Sequence, residues 1–177
     1  MKKTLRHPKA NEEERRIFKE KIAAYKAEEL EIIYIDESGF ANDMPRTHGY
    51  APVGQRCYGV QDWHAKGRTN VIGALLNRCL ITLGLFDENV NADVFTAWVE
   101  QDLLPKLSKR TVIVMDNATF HKRQDTQQAI REAGHILLFM PPYSPDLNPI
   151  EKKWAQAKTL RRKLRCDTQT LFAANAF

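Results

Sequence analysis

The chain has 177 residues, 43% of them hydrophobic and 28% charged, with a net charge of +5 and a pI near 9.1. That length suits one domain with a real core, and the composition excludes a disordered chain. No apolar run nears the roughly 20 residues of a membrane span, and more charge follows the opening Met-Lys-Lys. Neither a membrane anchor nor a signal peptide is therefore expected. Cysteines stand far apart at 57, 79 and 166 with no CxxC spacing, which argues against a zinc knuckle or a disulfide framework and for reduced thiols in the cytosol. The positive balance points moderately to a polyanionic partner.

Residues 11–29 read as a helix, capped by Asn11 with Glu14 in capping-box position and Phe18, Ile22 and Tyr25 along one face. Residues 1–30 are thus a linker or a packing helix. EIIYID (31–36) is a strand buried on both faces, and the Gly-, Pro- and Asn-rich stretch from Ser38 to Arg56 is a loop. RCYGV (56–60), TNVIGALL (69–76) and CLITLGLF (79–86) are three further strand candidates with antiparallel neighbours. Residues 91–107 are helical, with Val94, Phe95, Trp98 and Leu103 inward. TVIVMD (111–116) repeats the first strand's pattern. A helix over 121–133 closes at Gly134, HILLFM (135–140) is a strand, and a last helix spans 149–165. The order predicts an α/β domain, a mixed sheet flanked by helices.

Two of these strands, IIYID and VIVMD, end in aspartate. Ligands of open α/β sheets gather at the carboxyl ends of strands, so Asp36 and Asp116 are candidates for one site. A terminal Asp can also merely turn the chain. Two close carboxylates repel, and a divalent cation removes that penalty, with magnesium or manganese suited to hard oxygen ligands. Two ions about 4 Å apart activate an attacking oxygen and stabilise a leaving one at phosphorus, which calls for a third acid. The string PPYSPDLNPIEKKW (141–154) supplies Glu151. Asn148 can cap a helix, Pro149 fits its first turn, and Glu151 falls at the third helical position. Prolines 141, 142, 145 and 149 restrict φ on the approach, which stiffens delivery of that carboxylate. A capping-box role for Glu151 with Asn148 accounts for the helix chemistry equally well.

DESGF after one strand, MDNATFH after another, and PPYSPDLNPIEKKW together resemble the catalytic domain of DDE transposases. The likeness is to the bacterial insertion-sequence branch related to the Tc and mariner elements. Thirty-four residues separate Asp116 from Glu151, the spacing typical of that group. The resemblance assigns 31–165 to the catalytic domain and leaves 166–177 as a short C-terminal tail. It implies an RNase H-like fold with a mixed five-stranded sheet. Asp36, Asp116 and Glu151 would be the triad holding two magnesium (or manganese) ions. The activity would be cleavage of DNA at transposon ends and strand transfer into target DNA by the freed 3′-hydroxyl. Asn117 and His121 match the family's pattern after the second aspartate. Glu37, facing away from Asp36 by strand alternation, is read with them as a supporting residue. A homodimer is expected by the same resemblance. Relatives carry a helix-turn-helix region ahead of the catalytic domain. Nothing before residue 30 offers one, so it is expected to be encoded separately or to be missing.

From Glu151 to Arg165 seven basic residues face one acid: Lys152, Lys153, Lys158, Arg161, Arg162, Lys163 and Arg165. They are candidates for phosphate contacts along DNA, against the plainer reading of a solvated helix face. Trp63, Trp98 and Trp154 read as core or wall. A catalytically inactive remnant that binds DNA or a partner subunit is the alternative reading. A phosphatase with an aspartyl nucleophile is disfavoured, since neither Asp is followed by a second two residues on.

Overall fold

The computed structural model describes residues 8–45, 48–59, 67–174 and 177. Ten regular elements follow one another: α1 (Glu12–Ala27), β1 (Glu31–Ala41), β2 (Arg68–Leu76), β3 (Cys79–Phe86), α2 (Ala92–Trp98), β4 (Thr111–Met115), α3 (Gln124–Glu132), β5 (Ile136–Phe139), α4 (Ile150–Leu164) and α5 (Thr168–Ala174). The strands form one mixed five-stranded sheet in the order β3-β2-β1-β4-β5. β1, β2 and β3 make an antiparallel meander; β4 and β5 join it in parallel. This is the α/β architecture and mixed sheet expected from the sequence.

Strand alternation assigns the two faces. Ile33 and Ile35 of β1, with Ala74 opposite Ile35 and Ile72 opposite Glu37, pack under Phe95, Trp98, Val99 and Ile130 of the α2–α3 side. Tyr34 and Phe40, with Leu75 and Val71, meet Ile150, Trp154 and Leu171 of α4 and α5. Ile32, Val112 and Val114 on that same face are covered by Phe18 of α1. Asp36 therefore belongs to the α1–α4 face and Glu37 to the α2–α3 face.

Several elements depart from the sequence expectations. β1 continues through Ser38-Gly39-Phe40 to Ala41, where a loop was expected, because that segment pairs with β2 from Glu37↔Ile72 to Ala41↔Arg68 and buries Phe40. Pairing there overrides weak strand propensity. Residues 56–59 of RCYGV form no strand: Cys57 and Tyr58 are exposed, and no strand pairs with them. Val60 lies outside the described residues, as does Trp63. The helix over 91–107 is α-helical only to Trp98, then passes through a π-turn (Val99–Leu103) and a 3-10 turn (Leu104–Lys106). Pro105 lacks the N–H an α-helix needs there, and Leu104 N donates to Val99 O instead. Val94 is only half-buried, and Val99 takes the inward place. The expected helix over 121–133 is split into a 3-10 turn (Thr119–Lys122) and α3. Within the short C-terminal tail, α5 buries Leu171 and stacks Phe172 edge-on to Phe40 and Trp154.

Candidate active site at the carboxyl edge of the sheet

β1 and β4 run parallel in a register that pairs Tyr34 with Val114. Continuing that register by two residues sets Asp36 and Asp116 abreast, where β4 ends and β1 goes on with β2 alone. Adjacent strands lie about 4.8 Å apart, so strand geometry alone brings two acids together at this edge. Glu151 comes from elsewhere in the chain. α4 starts at Ile150, one residue later than expected, with Pro149 in the capping position. Asn148, buried, accepts from Ile150 N through Oδ1 at 3.4 Å and from Glu151 N through its carbonyl at 3.3 Å. Glu151 is exposed on this first turn. Trp154, one turn further on, is buried and donates Nε1–H to Asp36 Oδ2 at 3.2 Å. Residues three apart share a helix face, so the α4 face that touches Asp36 also carries Glu151.

The charges report the same convergence. Asp36 is pushed up to about 8, first by burial and then by the negative charges of Glu151, Glu37 and Asp116. Asp116 behaves oppositely. Burial would raise it, but hydrogen bonds from His121 and from Ala118 N, with the positive charge of His121, hold it below the usual carboxylate value. His121 is fully buried between the rings of Phe95 and Phe120. Its Nδ1 lies 2.6 Å from Asp116 Oδ1 and its Nε2 2.8 Å from Glu37 Oε1. Burial would lower its pKa, yet the two carboxylates raise it to about 9. At neutral pH it is an imidazolium donating to both. Asn117 donates Nδ2–H to Met140 O and so ties the end of β4 to the start of the proline segment.

His121 and Glu37 thus form one hydrogen-bonded chain with Asp116, whereas Asn117 turns its amide to the backbone. Asp36, Asp116 and Glu151 are coupled through their charges. Among the described residues, no group of three His, Cys, Asp or Glu side chains is spaced to hold a metal ion as it stands. The donor types nevertheless suit magnesium or manganese, and the acids Glu151, Glu37 and Asp116 lie near enough to Asp36 to add to the upward shift that its burial causes.

The basic residues of α4 divide. Arg161 is 5% exposed and donates to the carbonyls of Ala41, Asn42 and Cys166, binding α4 to the end of β1. It is withdrawn from the phosphate-contact set because it is buried and each of its three nitrogens already donates to a backbone carbonyl. Lys152, Lys163 and Arg165 are exposed, Lys153 and Arg162 half-buried, and Lys158 lies 5.4 Å above the Phe40 ring. Sequence reasoning read Trp154 as core or wall, and it is core, but missed its bond to Asp36; its place three residues after Glu151 was the available signal.

A family described as DDE superfamily endonuclease matches residues 31–171. The chain belongs to this family. Its fold is similar to the Mos1 transposase paired-end complex with left transposon end, at a TM-score of 0.70 and 20% identity, over 91% of this chain and 53% of that one. It is also similar to the Mos1 mariner paired end complex with Mn (TM-score 0.66, 20% identity, 89% and 53% covered). The catalytic domain of Mos1 mariner transposase matches at a TM-score of 0.60 and 16% identity, over 88% and 76%. At these identities the likeness is one of fold, and it identifies the sheet as RNase H-like. The chain spans about half the length of the first of these transposase chains. No curated protein matches it.

Proposed function

We propose that this DDE-family chain is the catalytic subunit or fragment of a transposase. It cleaves DNA at transposon ends and joins the freed 3′-hydroxyl to target DNA. The observation that carries the reading is geometric: Asp36 lies on β1, Asp116 directly follows the adjacent parallel strand β4, and the face of α4 whose Trp154 donates to Asp36 also carries Glu151. Asp36, Asp116 and Glu151 are the residues that would hold two Mg2+ or Mn2+ ions. Such ions, when bound, lower the pKa of an attacking water and offset charge on the leaving oxygen.

The protein's own contributions follow from its geometry. His121 fixes the orientation of Asp116 and keeps it ionised. Trp154 fixes Asp36. Lys152, Lys153, Lys158, Arg162 and Lys163 on α4, with Arg165 at its C-cap, offer positive charge on the helix whose first turn carries Glu151, along which a phosphate backbone can lie. A homodimer, a helix-turn-helix region supplied separately, placement in the bacterial insertion-sequence branch and a cytoplasmic site belong to the same proposal. Among the described residues no helix is long and apolar enough to cross a membrane.

The test is Mg2+-dependent nicking of a transposon-end duplex by the Asp116→Asn variant, which keeps the side chain's shape and removes its charge. The reading expects activity to vanish; wild-type activity in that variant removes it. The alternative, an inactive remnant that binds DNA or a partner, draws on the absence of a ready metal cage among the described residues. It expects no thermal stabilisation of the wild-type protein by Mg2+ or Mn2+.

A further inference from the structure

α1 lies ahead of the family match, which starts at residue 31, yet it reaches the segment that delivers Glu151. Arg15 is 2% exposed. Its Nη1 and Nη2 donate to Asp146 Oδ1 at 2.9 Å and Oδ2 at 2.7 Å, a two-point fork that fixes direction as well as distance. Phe18, one turn along α1, packs in the cluster that holds Met140 and Leu147. α1 therefore grips the proline segment at Met140, Asp146 and Leu147.

That segment is fastened at its start as well. Met140 N donates to Met115 O, and Met140 O accepts from Asn117, next to Asp116. Between the fastenings Tyr143 takes a left-handed φ of 54°, and Ser144 Oγ donates to Pro142 O. After Asp146, Asn148 N donates to Pro145 O, and Asn148 O in turn accepts from Glu151 N. Every link from Arg15 to the Glu151 backbone is thus an ion pair, a short turn or a proline-restricted residue.

We infer that Arg15 is a positioning residue for Glu151, and that α1 is a brace without which the third acid loses its place. The metal affinity of the site then depends on a residue outside the matched domain. This rests on the proposed role of Glu151 in holding metal. An ion pair buried on the Arg15 side only is weak ground for a stability role, because partly solvated pairs contribute little net stability. A brace that sets a geometry has a different signature, seen in the local order of the segment and in metal binding.

The experiment compares the full chain with its Arg15→Met and Asp146→Asn variants, the second being the milder should the first fold poorly. Backbone hydrogen exchange is followed without metal, and Mn2+ binding by calorimetry. Exchange should rise across residues 141–152 while β1 and β4 keep their protection, and Mn2+ should bind about tenfold more weakly in each variant, the size of effect expected of outer supports of a metal site. In a Glu151→Gln background, Arg15→Met should cause no further loss of Mn2+ affinity, because both changes act on one ligand. Unchanged exchange over 141–152 overturns the inference. So does a rise spread equally over β1, β4 and this segment, which marks a role in stability alone. Wild-type protein that binds no Mn2+ removes the assigned role of Glu151 instead, and the exchange data separately decide whether α1 braces the segment.

Discussion

Asp36 lies within β1 and Asp116 directly follows the neighbouring parallel strand β4, each after a run of hydrophobic residues, and yet their surroundings are opposite. Asp116 has a buried imidazolium and a backbone N–H aimed at one oxygen, so its charge is welcome. Asp36 has the indole N–H of Trp154 and three nearby negative charges, so its charge is not. The difference teaches that a place on adjacent strands positions a carboxylate but does not set its ionisation. That is set by what the following loop and the helices bring. The MDNATFH turn carries its own counter-charge in His121, whereas DESGF continues as strand and carries none.

The largest effects should come from neutralising either acid. Asp36→Asn and Asp116→Asn should each lower Mg2+-dependent nicking by at least about 100-fold, as loss of a metal support does. Their effects on the metal-free protein should diverge. At neutral pH Asp36→Asn relieves about 1–3 kcal/mol of burial and repulsion, which raises Tm by several degrees at about 2–4 °C per kcal/mol. Asp116→Asn takes a partner from buried His121 and should lower Tm by a similar amount. Calorimetry of the two variants reads the contrast directly; equal shifts of the same sign would erase it.

Next in size is His121→Gln, which keeps a hydrogen bond and removes the positive charge. Nicking should fall about 10- to 100-fold. Titration of Asp116 followed by NMR should show its carboxyl moving up toward the ordinary range, while Asp36, which His121 does not touch, stays high. An unmoved Asp116 would assign its low value to Ala118 N alone.

The pH dependence of stability sharpens the comparison further. Asp36 is raised to about 8, so the stability linked to it is full below the unfolded carboxylate value and drains as pH rises through 8. His121, raised to about 9, contributes stability that is full below about 6.5 and is lost as pH climbs through 9. Asp116 is lowered, so its contribution is present above the ordinary carboxylate value and disappears on strong acidification. Metal-free Tm should therefore decline from pH 6 to 9. Mg2+ should flatten that decline by supplying the missing counter-charge, and a Tm that rises over the same range without metal would contradict the environment described for Asp36.

How far the sequence carries is itself uneven across these residues. β4 and β2 were legible because their burial is continuous, and α1 because Asn11 caps it with Oδ1 accepting from Glu13 N and Glu14 N. The candidate acids were legible because two of them follow runs of hydrophobic residues and the third follows a proline-rich run. Side-chain direction was not. Nothing local distinguishes Arg161, turned inward onto Ala41 and Asn42, from Lys163, turned outward, since both sit in one basic run. The distinction is measurable. Lys163→Ala should reduce the slope of log K against log salt for DNA binding by about 1. Arg161→Met should leave that slope alone and lower Tm, through three carbonyls that lose their donor.

The smallest effect concerns the one hydrogen bond that reaches Asp36 from α4. Trp154→Phe keeps an aromatic ring against Phe40 and Phe172 but removes the N–H. The indole also lies tight on the strand: a Cβ at Gly73 would come within 2.6 Å of it, so the ring has one place to sit. A donor facing the ionised carboxylate favours the charged form, and its loss should push Asp36 higher still. The energetic loss is about 1 kcal/mol, read as a Tm lower by a few degrees and a Mg2+ requirement raised a fewfold, with Asp116 unaffected. Unchanged Mg2+ dependence in the Trp154→Phe variant would show that Trp154 serves the core alone, and that Asp36 is held by its strand without help from the helix.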